Sequence, residues 1–123
     1  MADGTTTVAD LKQAMARFVR ARDWERFHSP KNLSMSLAAE AAELMEHFLW
    51  MENAESHSAV VDPERRKAVG EEMADVACLF LAMSNATGID LSQAVLYKLV
   101  KNEAKYPADR YQGRYRLDAE VKN

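Results

Sequence analysis

The chain predicts an all-α fold, and three observations carry that expectation. Four stretches place apolar residues at helical spacing, start and stop signals bracket each stretch, and no segment shows the sustained alternation of a half-buried strand. The first stretch opens at Thr7, whose hydroxyl can cap free amides while Asp10 supplies the acidic third position. Val8, Leu11, Met15, Phe18 and Arg22 then share one stripe, so the helix is expected to run to about Arg22. Asp23 to Ser29 break the pattern. Ser29-Pro30 is a cap followed by proline at the first helical position, and the second helix is expected to reach about Met51. Glu52 to Val61, polar and small, suits an exposed connection.

Asp62-Pro63-Glu64 repeats the start signal for a third helix, which Thr87-Gly88 can close because glycine accepts the left-handed conformation at a helix end. Its second half is apolar nearly all round, which predicts a central position. Asp90 with Gln93 three residues on opens a fourth helix, and Pro107 ends it after Tyr106. A single domain over residues 1–123 is expected, with a helical core over about 8–107 and a basic, aromatic tail from 108 that has no clear period.

Composition narrows the function. The 48% hydrophobic content suits a globular chain rather than a disordered one. Cys78 is alone and lies within an apolar run, where a thiol behaves as a small hydrophobe; it can form no internal disulfide. The segment Met1 to Thr7 has no basic stretch followed by an apolar one, and no apolar run approaches a membrane span, so a reducing, cytoplasmic setting is the expectation. A net charge of -3 argues against a general nucleic-acid binder, which must neutralise many phosphates. The charge is nevertheless polarised. Ten acids between Glu40 and Asp75 face only Arg65, Arg66 and Lys67, whereas bases outnumber acids from Lys98 to Asn123. That polarity suits a bound cation and a bound polyphosphate as well as it suits solvated surface.

The informative acids come in two pairs. At about 100° per residue, Glu40 and Glu43 lie about 60° apart on the second helix, and Leu33, Leu37 and Leu44 border Glu40. On the third helix Glu72 points into an arc with Ala68, Val69, Val76, Leu79 and Met83, and Asp75 shares a side with Ala68, Leu79 and Ala86. Ionised carboxylates gathered against apolar arcs need a cation or shifted protonation. Oxygen-only ligands favour Mg²⁺ or Mn²⁺ over Zn²⁺. The same spacing also fits acids that pair with Lys or Arg or lie in solvent, and spacing alone does not choose. Lys98, Lys101, Asn102 and Lys105 recur on one face of the fourth helix, where they can meet phosphate oxygens or form a solvated basic face. Trp24, Phe27, His28 and Trp50 can form an aromatic slot for a stacked base, or pack in a core or interface.

Glu40-Ala41-Ala42-Glu43, followed some thirty residues later by Glu71-Glu72-Met73-Ala74-Asp75, resembles the paired ExxE and ExxD motifs of the MazG-like, all-α nucleotide pyrophosphohydrolases. The stretches Arg22 to Leu33, Phe48-Leu49-Trp50 and Asn102 to Pro107 look like the dCTP pyrophosphatase branch, so the likeness spans roughly Leu11 to Pro107. The resemblance implies a four-helix bundle assembled into a dimer or tetramer. It implies Glu40, Glu43, Glu72 and Asp75 as metal ligands and catalytic carboxylates for Mg²⁺, with Mn²⁺ as the substitute. Trp24, His28 and Trp50 match the base pocket, and Lys98, Asn102, Lys105 and Tyr106 match the stretch that meets triphosphate or sugar. Ala39 and Ala42 stand where relatives often have glycine, and Leu79 where animal members of the branch have tyrosine.

The implied reaction splits a nucleoside triphosphate, dCTP or a modified cytosine nucleotide, at the α-phosphorus into monophosphate and pyrophosphate, as nucleotide-pool housecleaning. No nucleic acid and no membrane are implied as partners. The surplus of Phe48, Trp50, Phe80 and Leu81 independently favours association into a homo-oligomer. Two other readings compete with this one. A di-iron or di-manganese bundle would carry ExxH on two helices, and this sequence holds a single ExxH, Glu25-Arg26-Phe27-His28, in the break between the first two helices. A helical nucleotide-binding or dimerisation module without catalysis would bind and not cleave.

Overall fold

The structure, a computed structural model, describes residues 2–115; the tail beyond Tyr115 lies outside the described residues. Six helices follow one another, α1 (Val8–Ala21), α2 (Pro30–Glu46), α3 (Asn53–Ala59), α4 (Pro63–Thr87), α5 (Leu91–Lys105) and α6 (Ala108–Tyr111), with a 3-10 turn at Glu25–Phe27 and no strand among the described residues. The fold is all-helical.

Each long helix begins where a side chain accepts a free amide. At α1 the exchange is reciprocal, the Asp10 amide donating to the Thr7 hydroxyl at 3.1 Å and the Thr7 amide to the Asp10 carboxylate at 2.9 Å. Those bonds from Thr7 hold the Asp10 carboxyl below its ordinary value. Ser29 takes the Asn32 amide at 3.1 Å, Asp62 the Arg65 amide at 3.0 Å and Asp90 the Gln93 amide at 2.8 Å. Pro30 and Pro63 occupy the opening positions, where a missing amide costs no intrahelical bond.

Two expected boundaries move. The second helix stops at Glu46 instead of continuing to Met51, because the His47 amide turns in toward the Leu44 and Met45 carbonyls and Trp50 takes a positive φ of 67°. The Arg65 guanidinium then donates to the freed His47 carbonyl at 2.7 Å, satisfying a helix-end acceptor from the start of α4. The supposed open connection instead forms α3, in which the Ser56 and Ser58 hydroxyls donate back to the Asn53 and Glu55 carbonyls. The tail likewise contains a short helix, α6, entered through Pro107.

The chain divides into two compact units, Met1–Ile89 and Asp90–Asn123. Within the first, α4 packs against both α2 and α1. The contact is built from Val19, Leu33, Val69, Leu81 and Ala82, all buried. Leu81, expected among the uncovered surplus, is only 8% exposed and belongs to this core; it lies on the α4 surface that its neighbours cover, whereas Phe80 next to it stays exposed. Buried Ser84 donates to the Ile89 carbonyl, and the Asn85 amide reaches the Lys12 carbonyl at 3.0 Å, tying the end of α4 to α1. In the second unit, Tyr106 and Tyr111 meet edge to face at 5.2 Å, bracing α6 against the end of α5. No single helix among the described residues is long and apolar enough to cross a membrane.

Gly88 closes α4 at φ 72°, with its amide bonded to the Ser84 carbonyl at 2.9 Å. A Cβ would meet no neighbour there, so only the backbone conformation opposes a side chain. Gly88→Ala is therefore expected to destabilise the protein by about 1–2 kcal/mol, read as a lower urea midpoint with unchanged slope.

Candidate metal and nucleotide site

The two acidic pairs reach one place because α2 and α4 pack against each other. Glu40, Glu43 and Glu72 each bring a carboxylate oxygen within 4.8 Å of the others, a grouping that can hold a metal ion. Glu40 and Glu72 are half-buried and Glu43 is exposed, so the group sits at the edge of the helix contact with one open side. Asp75, exposed on the next turn of α4, stands outside that trio but acts electrostatically on Glu40 and Glu72.

The electrostatics express an unmet demand for positive charge. A hydrogen bond that the protonated Glu40 carboxyl can donate to the Glu43 side chain, reinforced by burial and by the charges of Glu43, Asp75 and Glu72, raises the Glu40 carboxyl above its ordinary value. Burial is the chief cause of the rise at Glu72, with Glu43 and Asp75 adding to it and His47 opposing it. A carboxyl that holds its proton more tightly lowers the repulsion within such a cluster, and a cation would do the same. One oxygen of Glu40 and one of Glu72, both Oε2, are buried with no hydrogen-bond partner. Buried acceptors of that kind are rare unless something else satisfies them. Three carboxylates, all oxygen donors, fit a hard divalent cation.

Beside the carboxylates lies a cavity of about 530 Å³ between α1, α2 and α4. Leu11, Met15, Phe18 and Trp24 form an apolar side, Glu40 and Asp75 an acidic one, and His28, Ser36 and Cys78 add polar atoms. Edge-to-face contact with Phe18 at 5.8 Å fixes the Trp24 ring, and the Arg22 guanidinium caps Phe18 from 3.8 Å. The Cys78 thiol is pushed up, by burial first and the Asp75 charge second, so it stays protonated. In the sequence Leu11, Met15 and Phe18 share one stripe, and nothing there marks Ser36 or Cys78 for the site. The stripe was visible, but its opening onto a cavity depends on where α4 lies.

The remaining candidates separate. Trp24 and His28 line the cavity, whereas Trp50 does not and is 99% exposed. Phe27 is exposed beneath the Arg26 guanidinium. Lys98, Asn102, Lys105 and Tyr106 belong to the second unit. There Asn102 is half-buried, the Tyr106 amide bonds its carbonyl at 2.7 Å, and the Lys105 ammonium stands 5.3 Å from the Tyr106 ring.

Residues 35–116 match the MazG-like family. The chain belongs to that family. Among curated relatives, dCTP pyrophosphatase 1 of Rattus norvegicus is 36% identical over 107 residues, which is 87% of this chain and 63% of the rat protein. The same-named protein of Homo sapiens is 38% identical over 102 residues, 83% of this chain and 60% of the human one. The chain thus spans about three-fifths of the length of these relatives. A crystal structure of a pyrophosphatase from Archaeoglobus fulgidus superposes with a TM-score of 0.76 at 34% identity, covering 87% of this chain and 98% of that one. This MazG-like chain therefore shares the all-helical fold of a pyrophosphatase, with an acidic trio that can hold a metal ion at the α2 and α4 contact.

Proposed function

We propose that this protein hydrolyses a nucleoside triphosphate, dCTP or a modified cytosine deoxynucleotide, to the monophosphate and pyrophosphate, with Mg²⁺ held by Glu40, Glu43, Glu72 and Asp75. The observation that carries the reading is the pair of buried, partnerless oxygens on Glu40 and Glu72 beside a cavity large enough for a base. The similarity to dCTP pyrophosphatases supports the substrate class.

A divalent cation held there supplies charge neutralisation for the triphosphate and acidity for a water. The chain's own residues supply the rest. The apolar side of the cavity receives the base, with Trp24 as a stacking surface, a contact worth roughly 1–3 kcal/mol per base. Glu40 and Asp75 line the cavity as well as belonging to the acidic set, so a base seated there brings its α-phosphate toward the carboxylates. Water oxygen bonds to the α-phosphorus, the bond from that phosphorus to the bridging oxygen breaks, and pyrophosphate leaves; a carboxylate of the set takes the water's proton. Lys98, Asn102, Lys105 and Tyr106 are the groups proposed to meet triphosphate and sugar.

The working unit is proposed to be a homodimer or homotetramer. Large apolar side chains are exposed on the single chain, among them Leu96 at 65% and Val100 at 66%. One helical turn apart on α5, these two form a stripe that costs free energy in water. Trp50 adds to the argument, since a bulky residue at φ 67° stores strain that its surroundings or its use must offset. Leu96→Asp with Val100→Asp is expected to shift the light-scattering mass to that of one chain; a wild-type protein already at that mass would overturn the assembly.

The reaction itself is tested by product analysis. Purified protein with Mg²⁺ and a panel of canonical and base-modified triphosphates is expected to yield pyrophosphate and the matching monophosphate, fastest with a cytosine base. Orthophosphate alone would mean a different phosphohydrolase, and nucleotide binding without turnover a non-catalytic module.

A further inference from the structure

We propose that His47 is a positioning residue that orients Glu72 for metal binding, with Arg65 fixing His47 in turn; the inference rests on the reading of the carboxylates as a metal site. The two oxygens of Glu72 have different surroundings. Oε2 is buried without a partner, while Oε1 faces the His47 Nε2 at 4.0 Å. That separation exceeds a hydrogen bond and suits either a charge pair or a contact bridged by one water. Both side chains are largely shielded, retaining 26% and 22% of their exposure, so the attraction is screened less than at an open surface.

What the early end of α2 changes at His47 is the partner of its carbonyl. Had the helix run on to Met51, the residue would occupy an ordinary helical position four after Glu43. Instead it caps α2, its amide folded back on Leu44 and Met45 and its carbonyl taken by the Arg65 guanidinium at 2.7 Å. Arg65 itself is held at the first turn of α4, its amide bonded to Asp62. One chain of contacts therefore links the start of α4, the end of α2 and the Glu72 carboxylate further along α4. Glu72 needs such a guide, because a glutamate at the edge of an acidic cluster is otherwise repelled by Glu43 and Asp75. An imidazole on one oxygen leaves the other aimed into the trio, the usual service of an outer partner to a metal ligand.

The test is Mn²⁺ binding to the full chain, measured by electron paramagnetic resonance without nucleotide. His47→Leu is expected to bind Mn²⁺ about tenfold more weakly, and His47→Gln, which restores a donor at the same reach, to bind nearly as the wild type does. Arg65→Met, which frees the His47 carbonyl and leaves the imidazole in place, is expected to weaken binding by less than His47→Leu does and stands in if the leucine variant does not fold. Wild-type affinity in both His47→Leu and Arg65→Met would overturn the positioning role. Failure of glutamine to rescue would also overturn it, reducing His47 to packing. A wild-type protein that takes up no Mn²⁺ would overturn the metal site itself, an outcome distinct from either.

Discussion

Glu72→Gln is expected to lower pyrophosphate release by roughly 100-fold or more and to abolish the thermal stabilisation that Mg²⁺ confers. The substitution keeps the shape of the side chain and removes its charge. It leaves Glu40 and Glu43 in place, so the change isolates one arm of the trio. Because Glu72 is half-buried with an unpartnered oxygen, a neutral amide should sit there at no loss to the metal-free fold. The metal-free variant is accordingly expected to melt at or above the metal-free wild type, separating a functional defect from a folding one. Asp75→Asn is expected to lose activity as well, and the ratio of the two losses measures how far a carboxylate outside the trio takes part. Full activity and full metal-dependent stabilisation in both variants would place the site elsewhere.

The metal-free protein is expected to lose stability as the pH rises, and Mg²⁺ to restore it. Glu40 and Glu72 both have carboxyls raised above the ordinary value of 4.5, so the folded chain holds their protons more tightly than the unfolded chain does. Stability from the protonated groups is therefore fully present below about pH 4.5 and is lost as the pH climbs through the raised folded values. Asp10 works in the opposite direction lower on the scale, since its depressed carboxyl stabilises above 3.8 and fails as the pH falls. A bound cation substitutes for the protons, so the gain in Tm on adding Mg²⁺ should grow from pH 5 to pH 8. At a hundredfold its Kd the ion is expected to raise Tm by on the order of 10 °C at the upper pH. Thermal melts in chelator and in Mg²⁺ at several pH values check this, and a gain that does not change with pH would separate the cation from the carboxylates.

Local chemistry determined much of this fold directly from the chain. The starts of α1, α2, α4 and α5 lie where Thr7, Ser29, Asp62 and Asp90 can take an amide, and α4 ends at Gly88, because a cap is a contact among residues three or four apart. The acids that converge were partly legible for a related reason: a charged group set in an apolar arc is a conflict that spacing shows, and Glu40 and Glu72 carried that mark with Glu43 beside Glu40, but spacing did not choose between a cation and a pairing with Lys or Arg. What the sequence left open lies where distant contacts overrule local preference. The end of α2 was misplaced because Arg65, far along the chain, takes the His47 carbonyl, and no propensity within Glu46 to Met51 announces that bond. Leu81 proved to be core and Trp50 surface, although both are large and apolar, since burial depends on which face of a helix a neighbour covers. The cavity was hidden for the same reason. Its walls come from three helices, so Met15, Ser36 and Cys78 became neighbours of Glu40 only once α1 and α2 were packed against α4.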